Sequence, residues 1–182
     1  MKVPVTGFFT VLLAISPWWL GAQEFNKVIM DSKAGKEVMV GYLTRDGLKG
    51  EVFGTYYEEE YRSYEPVSKI VETLRRLPDA WEVTIVLGTW CSDSQREVPR
   101  FLRIMDEAGI KDSRITLIGV DRKKEARGLD LEDLEIELVP TFIFYRDGKE
   151  MGRIIETPKE NLETDMLVIL ARPPAPPPPG TR

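Results

Sequence analysis

The stretch Gly88-Thr89-Trp90-Cys91-Ser92-Asp93-Ser94, with the tripeptide Val139-Pro140-Thr141 further along, decides the fold of this chain. It directly follows Val83 to Leu87, a β-branched apolar run typical of a strand buried on both faces. Cys91 is the only cysteine among the 182 residues, and a serine stands three positions after it. Thiol chemistry at this site therefore cannot end in an internal disulfide.

The composition fits one compact domain, with 42% hydrophobic and 30% charged residues. A net charge of -5 predicts no nucleic-acid partner. Because the chain has no histidine and one cysteine, the usual zinc and haem ligand sets and the Cys-His protease pair are missing. The acidic residues at 130–137 also lack the glycine spacing of a calcium loop. We therefore expect no metal and no cofactor.

The ends of the chain carry signals of their own. Residues 1–22 have the features of a cleavable export signal: Lys2, an apolar run, and Gly21-Ala22 at the expected cleavage site. The run is shorter than the roughly twenty residues that span a bilayer, although an uncleaved anchor remains the alternative. We therefore expect a periplasmic or extracellular protein with no stable membrane insertion after cleavage. The Pro-rich residues 172–182 predict a disordered tail.

Between these ends, the patterns predict an extension at 23–80, made of a strand and a helix that pack on the core, and a core at 81–171. Arg45-Asp46-Gly47 indicates a turn, and Asp147-Gly148 a hairpin. The aromatic and acidic segment 51–64 fits no periodicity; it could wrap the core edge or form a binding surface, and we favour wrapping. The predicted strands are 38–43, 83–87, 115–120, 141–145 and 151–155; the predicted helices are 66–77, 94–108 and one that Thr157 caps and that reaches about Ala171.

From Val83 onward, this arrangement resembles the thioredoxin family. Pro99 stands where thioredoxins have the proline that bends the active-site helix, and Val139-Pro140-Thr141 stands where they have a cis-proline before a strand. The resemblance covers about half of the chain. It implies a thioredoxin-like three-layer α/β/α fold with a mixed central sheet, and the nearest similarity is to exported bacterial members with a Cys-x-x-Ser motif.

The resemblance also implies roles for the site residues. Cys91 would be the nucleophile, since a helix N-terminus favours thiolate over thiol, although Asp93 would oppose this by repulsion. Ser94 could donate a hydrogen bond to the thiolate, and Trp90 would shield the sulfur. A cis Pro140 would place the Val139 backbone beside the sulfur, so that Val139, Pro140 and Thr141 form a platform for an extended substrate.

Two departures from the family limit the predicted chemistry. There is no second cysteine, and Ile85 replaces the acidic residue that thioredoxins bury about six positions before the nucleophile. We therefore expect a monothiol protein that forms mixed disulfides with a protein or low-molecular-weight thiol or disulfide, in an isomerase or deglutathionylation type of exchange that an external thiol completes. The alternative is a non-catalytic peptide-binding or interaction module in which Cys91 is structural. A dimer linked through Cys91 is a third possibility.

Overall fold

The computed structural model describes residues 24–78 and 80–172. The predicted export signal lies outside these residues, as does the predicted tail beyond Arg172. No helix within the two described ranges is long and apolar enough to cross a membrane.

A six-stranded mixed sheet forms the centre of the described chain, with strand order β1-β2-β4-β3-β5-β6. β3 and β4 are parallel, and the other neighbouring strands are antiparallel. The predicted α/β fold with a mixed central sheet is confirmed. The strands are β1 (Lys27–Asp31), β2 (Lys36–Leu43), β3 (Glu82–Leu87), β4 (Ile115–Gly119), β5 (Thr141–Arg146) and β6 (Lys149–Ile155).

The longer helices form one layer on one face of this sheet. The helices are α1 (Arg45–Leu48), α2 (Gly54–Ser63), α3 (Ser68–Arg75), α4 (Ser92–Ala108) and α5 (Leu162–Leu170). α4 packs against α2, α3 and α5. Side chains alternate along the strands, so that Ile85 and Leu87 of β3 enter the main core under these helices together with Phe101 of α4.

The opposite face carries a second core cluster, formed by Val86, Ile118, Val120, Ala126 and Val139. Partly buried apolar side chains of the segment 121–138 cover it, among them Leu131, Leu134 and Ile136. This third layer is an irregular segment with one 3₁₀ turn at Glu132–Leu134. The site described below lies beside this layer.

Three elements of the extension, β1, α1 and α2, were not predicted from the sequence. β1 pairs with β2, and β2 pairs with β4, so the extension enlarges the central sheet. α2 occupies most of the segment 51–64 that fits no periodicity. Phe53 and Tyr57 are buried there, which confirms that the segment wraps the core.

Three predicted boundaries were wrong. The last helix begins at Leu162 instead of just after Thr157, because the Asn161 side chain caps it by accepting from the Thr164 amide at 2.9 Å. The predicted turn 45–47 lies in the short helix α1, where the Thr44 hydroxyl accepts from the Gly47 amide at 3.0 Å. α3 begins at Ser68, so the proline at position 66 precedes the helix.

Candidate active site

Cys91 links the end of β3 to the start of α4. It caps the helix, and its carbonyl accepts from the Gln95 amide at 2.9 Å. Its side chain is partly exposed. The free N–H groups of the first helical turn place positive potential near the sulfur, which favours a thiolate there. This location matches the prediction from the sequence.

The segment before β5 lies against the Cys91 sulfur. The Val139–Pro140 peptide bond is cis, as predicted. The Cys91 thiol donates to the Val139 carbonyl oxygen across 3.1 Å, so the Val139 backbone lies beside the sulfur as expected. The Thr141 hydroxyl donates to the Leu138 carbonyl at 2.7 Å, and this hydrogen bond joins the residues on either side of the Val139–Pro140 pair. Substrate binding by Val139, Pro140 and Thr141 stays a prediction.

Ser94 occupies the position of a second thiol and is fully buried. Its hydroxyl oxygen accepts from the Gly88 amide at 3.1 Å. In the part of the chain that the structure describes, no hydrogen bond joins Ser94 to Cys91, and donation from this hydroxyl to a Cys91 thiolate stays a prediction. The Gly88 amide at the end of β3 is a buried donor that needs an acceptor, and the Ser94 oxygen supplies it while the hydroxyl keeps its own hydrogen to donate. Ser94 therefore holds the strand end to the first turn of α4.

Trp90 lies between the cysteine and the end of β4. Its indole N–H donates to the Val120 carbonyl at 2.8 Å. A Cβ atom at Gly88 would come within 2.6 Å of the indole ring, so only glycine fits there. The guanidinium of Arg122 lies over the ring, 4.6 Å from its centroid. Trp90 also packs against the second core cluster, which is consistent with a shielding role.

Arg96 forms ion pairs that alter the negative charge expected near Cys91 from Asp93 alone. Its Nη2 lies 2.7 Å from the Asp93 carboxylate, and its Nε lies 2.6 Å from the carboxylate of buried Glu97. The hydrogen bond with Glu97 raises the pKa of Arg96, so its charge is firmly held. The repulsion between Asp93 and a Cys91 thiolate is therefore partly offset. Asp93 and Arg96 stand three residues apart at the start of α4, a spacing at which side chains on a helix meet, and this spacing was the signal for the pair.

Ile85 lies fully buried in the main core, opposite Phe142 of β5. A proton acceptor is therefore absent from the position that the family resemblance singles out. Within residues 24–78 and 80–172, no group of three or more His, Cys, Asp or Glu side chains is placed to hold a metal ion. The described site thus consists of one partly exposed thiol, its helix N-terminus and the backbone of Val139.

The fold and the site define a thioredoxin-like protein, and comparisons with known proteins agree. No family model matches the sequence. The chain is 30% identical to thioredoxin H-type 1 of Nicotiana tabacum over 119 residues, which is 65% of this chain and 84% of the relative. It is 28% identical to a thioredoxin H-type of Picea mariana over 123 residues, which is 68% of this chain and 88% of the relative.

The chain therefore belongs to the thioredoxin family, and this membership supports a thioredoxin-like redox function in general. Among solved structures, a protein of unknown function, PA1234 from Pseudomonas aeruginosa, matches with a TM-score of 0.42 and 16% identity. That match covers 64% of this chain and 75% of the other.

Proposed function

We propose that this chain is an exported monothiol thioredoxin that carries out thiol-disulfide exchange through Cys91. The observation that carries the proposal is the placement of a partly exposed thiol at the N-terminus of α4, 3.1 Å from the Val139 carbonyl. A buried structural cysteine would have neither the exposure nor the positive potential of a helix start. The substrate is a protein or low-molecular-weight thiol or disulfide.

The exchange conserves electrons overall. The Cys91 thiolate attacks one sulfur of a substrate disulfide, a new sulfur-sulfur bond forms, and the substrate's own bond breaks. The departing thiolate takes a proton from solvent. Because Ser94 has no thiol, an external thiol must attack the mixed disulfide, and its sulfur then remains bonded to the substrate while Cys91 is released. Disulfide isomerisation and deglutathionylation both need only this one protein thiol.

The backbone near Val139 offers a place for an extended substrate. Within the described residues the Val139 N–H has no hydrogen-bond partner, while the Pro140 carbonyl accepts from the Glu156 amide at 2.7 Å. An extended peptide could supply an acceptor for the free amide, as in strand addition. Leu138, which is 43% exposed, would contact such a peptide. Pairing at Val139 would hold a substrate sulfur close to Cys91.

A second candidate function is a non-catalytic peptide-binding module. Two observations favour it: the Cys91 thiol donates to the Val139 carbonyl, and Cys91 packs against the second core cluster. In that case the groove would still bind a peptide, but the cysteine would serve only to join α4 to the segment before β5.

One experiment distinguishes thiol-disulfide exchange from the peptide-binding module. Wild type and Cys91→Ser are incubated with a disulfide-bonded peptide, quenched with acid, and weighed by intact-mass spectrometry. Since the chain has one cysteine, any disulfide adduct of wild type is at Cys91. We expect an adduct on wild type that an added thiol removes. If wild type gains no more mass than Cys91→Ser, the exchange proposal fails and the binding module takes its place.

A further inference from the structure

A basic loop follows β4 next to the candidate site. We use this name for residues 121–127, in which Arg122, Lys123, Lys124 and Arg127 are exposed. The buried Asp121 carboxylate holds the loop by accepting from the Lys123 amide at 2.8 Å and the Glu125 amide at 3.0 Å. Within the described ranges, no salt bridge engages Arg122. The charge of Arg122 interacts with the Asp31 carboxylate without a salt bridge between them, so the exposed guanidinium can still bind an anion from outside.

Arg122 is held at the site from two directions. Its backbone amide donates to the Asp31 carboxylate at 2.7 Å, and Asp31 itself is buried at the end of β1. This amide hydrogen bond is the largest cause that lowers the pKa of Asp31, so the carboxylate stays charged and keeps its hold on the loop. At the other end of the residue, the guanidinium lies 4.6 Å from the centre of the Trp90 ring. The residue after Trp90 is the reactive cysteine.

The sheet topology places the basic loop at the same edge of the sheet as Cys91. β3 and β4 are parallel, so their carboxyl ends share one edge of the sheet, with Cys91 after β3 and the basic loop after β4. β5 is antiparallel to β3 and therefore begins at that same edge. The acidic stretch 130–137 leads into β5, and its Leu134 carbonyl accepts from Arg153 of β6 at 3.0 Å. The strand order β4-β3-β5 thus places Cys91 between the basic loop and the start of β5.

We propose that Arg122 is a specificity residue that binds a carboxylate of the substrate on the β4 side of Cys91. This inference rests on the proposed exchange function and specifies its substrate class: a disulfide that carries a carboxylate near the reacting sulfur. A guanidinium stacked on an indole ring keeps its in-plane N–H groups free, and their fork matches a carboxylate.

A pair of alkylating reagents tests the charge preference directly. Iodoacetate and iodoacetamide both react with the Cys91 thiolate, forming a carbon-sulfur bond as iodide leaves, and they differ mainly in one negative charge. The ratio of their rates cancels changes in the intrinsic reactivity of Cys91. We expect Arg122→Gln to lower the iodoacetate-to-iodoacetamide ratio about two- to fourfold at low salt, and the difference to shrink in about 1 M salt, where screening acts within about 3 Å.

Two variants serve as controls. Arg114→Gln removes the same charge from the other end of β4, where Arg114 lies 5.4 Å from the Trp81 ring centroid. It should leave the ratio unchanged. Arg122→Lys keeps the charge and should keep most of the ratio. Circular dichroism and a thermal melt establish that each variant is folded.

Further measurements distinguish the two kinds of carboxylate-bearing substrate, a small disulfide and an acidic polypeptide. Rates of mixed-disulfide formation are measured with glutathione disulfide and with peptide disulfides flanked by Asp or by Asn. An effect of Arg122→Gln on glutathione disulfide alone indicates a small substrate, and an effect on the Asp peptide alone indicates an acidic polypeptide; either supports the inference. An unchanged reagent ratio with a reactive Cys91 overturns the inference and leaves the exchange proposal intact. No reaction of Cys91 with either reagent overturns both.

Discussion

The most direct perturbation of the proposed chemistry is Ser94→Cys, which introduces a thiol three residues after the nucleophile. The Ser94 hydroxyl is fully buried and accepts from the Gly88 amide at 3.1 Å. A cysteine side chain is a weaker acceptor, so the variant loses most of one neutral hydrogen bond, about 1 kcal/mol. For a domain of this size, that corresponds to a melting temperature lower by about 2–4 °C. The variant should therefore remain folded.

The introduced thiol should shorten the lifetime of the mixed disulfide. It can attack the Cys91 sulfur within the same molecule, where its effective concentration greatly exceeds that of an external thiol. The gain should be partial, because Ile85 is buried in the main core and offers no proton acceptor. We expect a measurable dithiol reductase activity that wild type lacks.

The assay compares wild type, Ser94→Cys and Ser94→Ala. Each protein is incubated with a disulfide-bonded peptide, quenched with acid at successive times, and weighed to obtain the decay of the adduct. Ser94→Ala is the matched control: it also loses the acceptor for Gly88, at a cost of about 1–3 kcal/mol, but gains no thiol. The reasoning is refuted if adducts of Ser94→Cys persist as long as those of the other two proteins.

Two further predictions concern alkaline stability and export. Burial raises the pKa of Tyr57 from its ordinary value of 10.0 to about 12, so the folded state favours the neutral phenol. The resulting stability is complete below about pH 10 and is lost as the pH rises toward 12. Tyr57→Phe should therefore lose less unfolding free energy than wild type between pH 9 and 11.5 in urea titrations, and equal losses would contradict this. Export with cleavage after Ala22 predicts a mature N-terminus at Gln23, and intact mass of the exported protein would reject it if residues 1–22 remain.

Several elements could be predicted from the sequence because their signals are local. β3 is a continuous apolar run, and the tight Asp147-Gly148 connection sets the β5-β6 hairpin. α4 shows helical spacing from the site to Gly109, which adopts the left-handed conformation that ends the helix. The cis peptide bond and the approach of Val139 to Cys91 followed from the family resemblance, and both are present.

The remaining features depend on contacts between distant residues. The sequence of β1 gives no clear strand pattern. In the structure its residues Val28 and Met30 are exposed, and pairing with β2 defines the strand. α2 has aromatic side chains whose burial depends on α4. The approach of Arg122 to Trp90 depends on the parallel pairing of β3 with β4, which no spacing along the chain encodes.

The two departures from the thioredoxin pattern are physically consistent with each other. A buried acid before the nucleophile would serve to accept a proton from a second thiol, and Ser94 leaves no such thiol to deprotonate. A carboxylate at position 85 would then lie fully buried among apolar side chains such as Phe142, without a task, and would destabilise the fold. Isoleucine instead adds to the main core. The pair Ile85 and Ser94 is therefore consistent with the proposed one-thiol exchange, because loss of the second thiol removes the need for the buried acid.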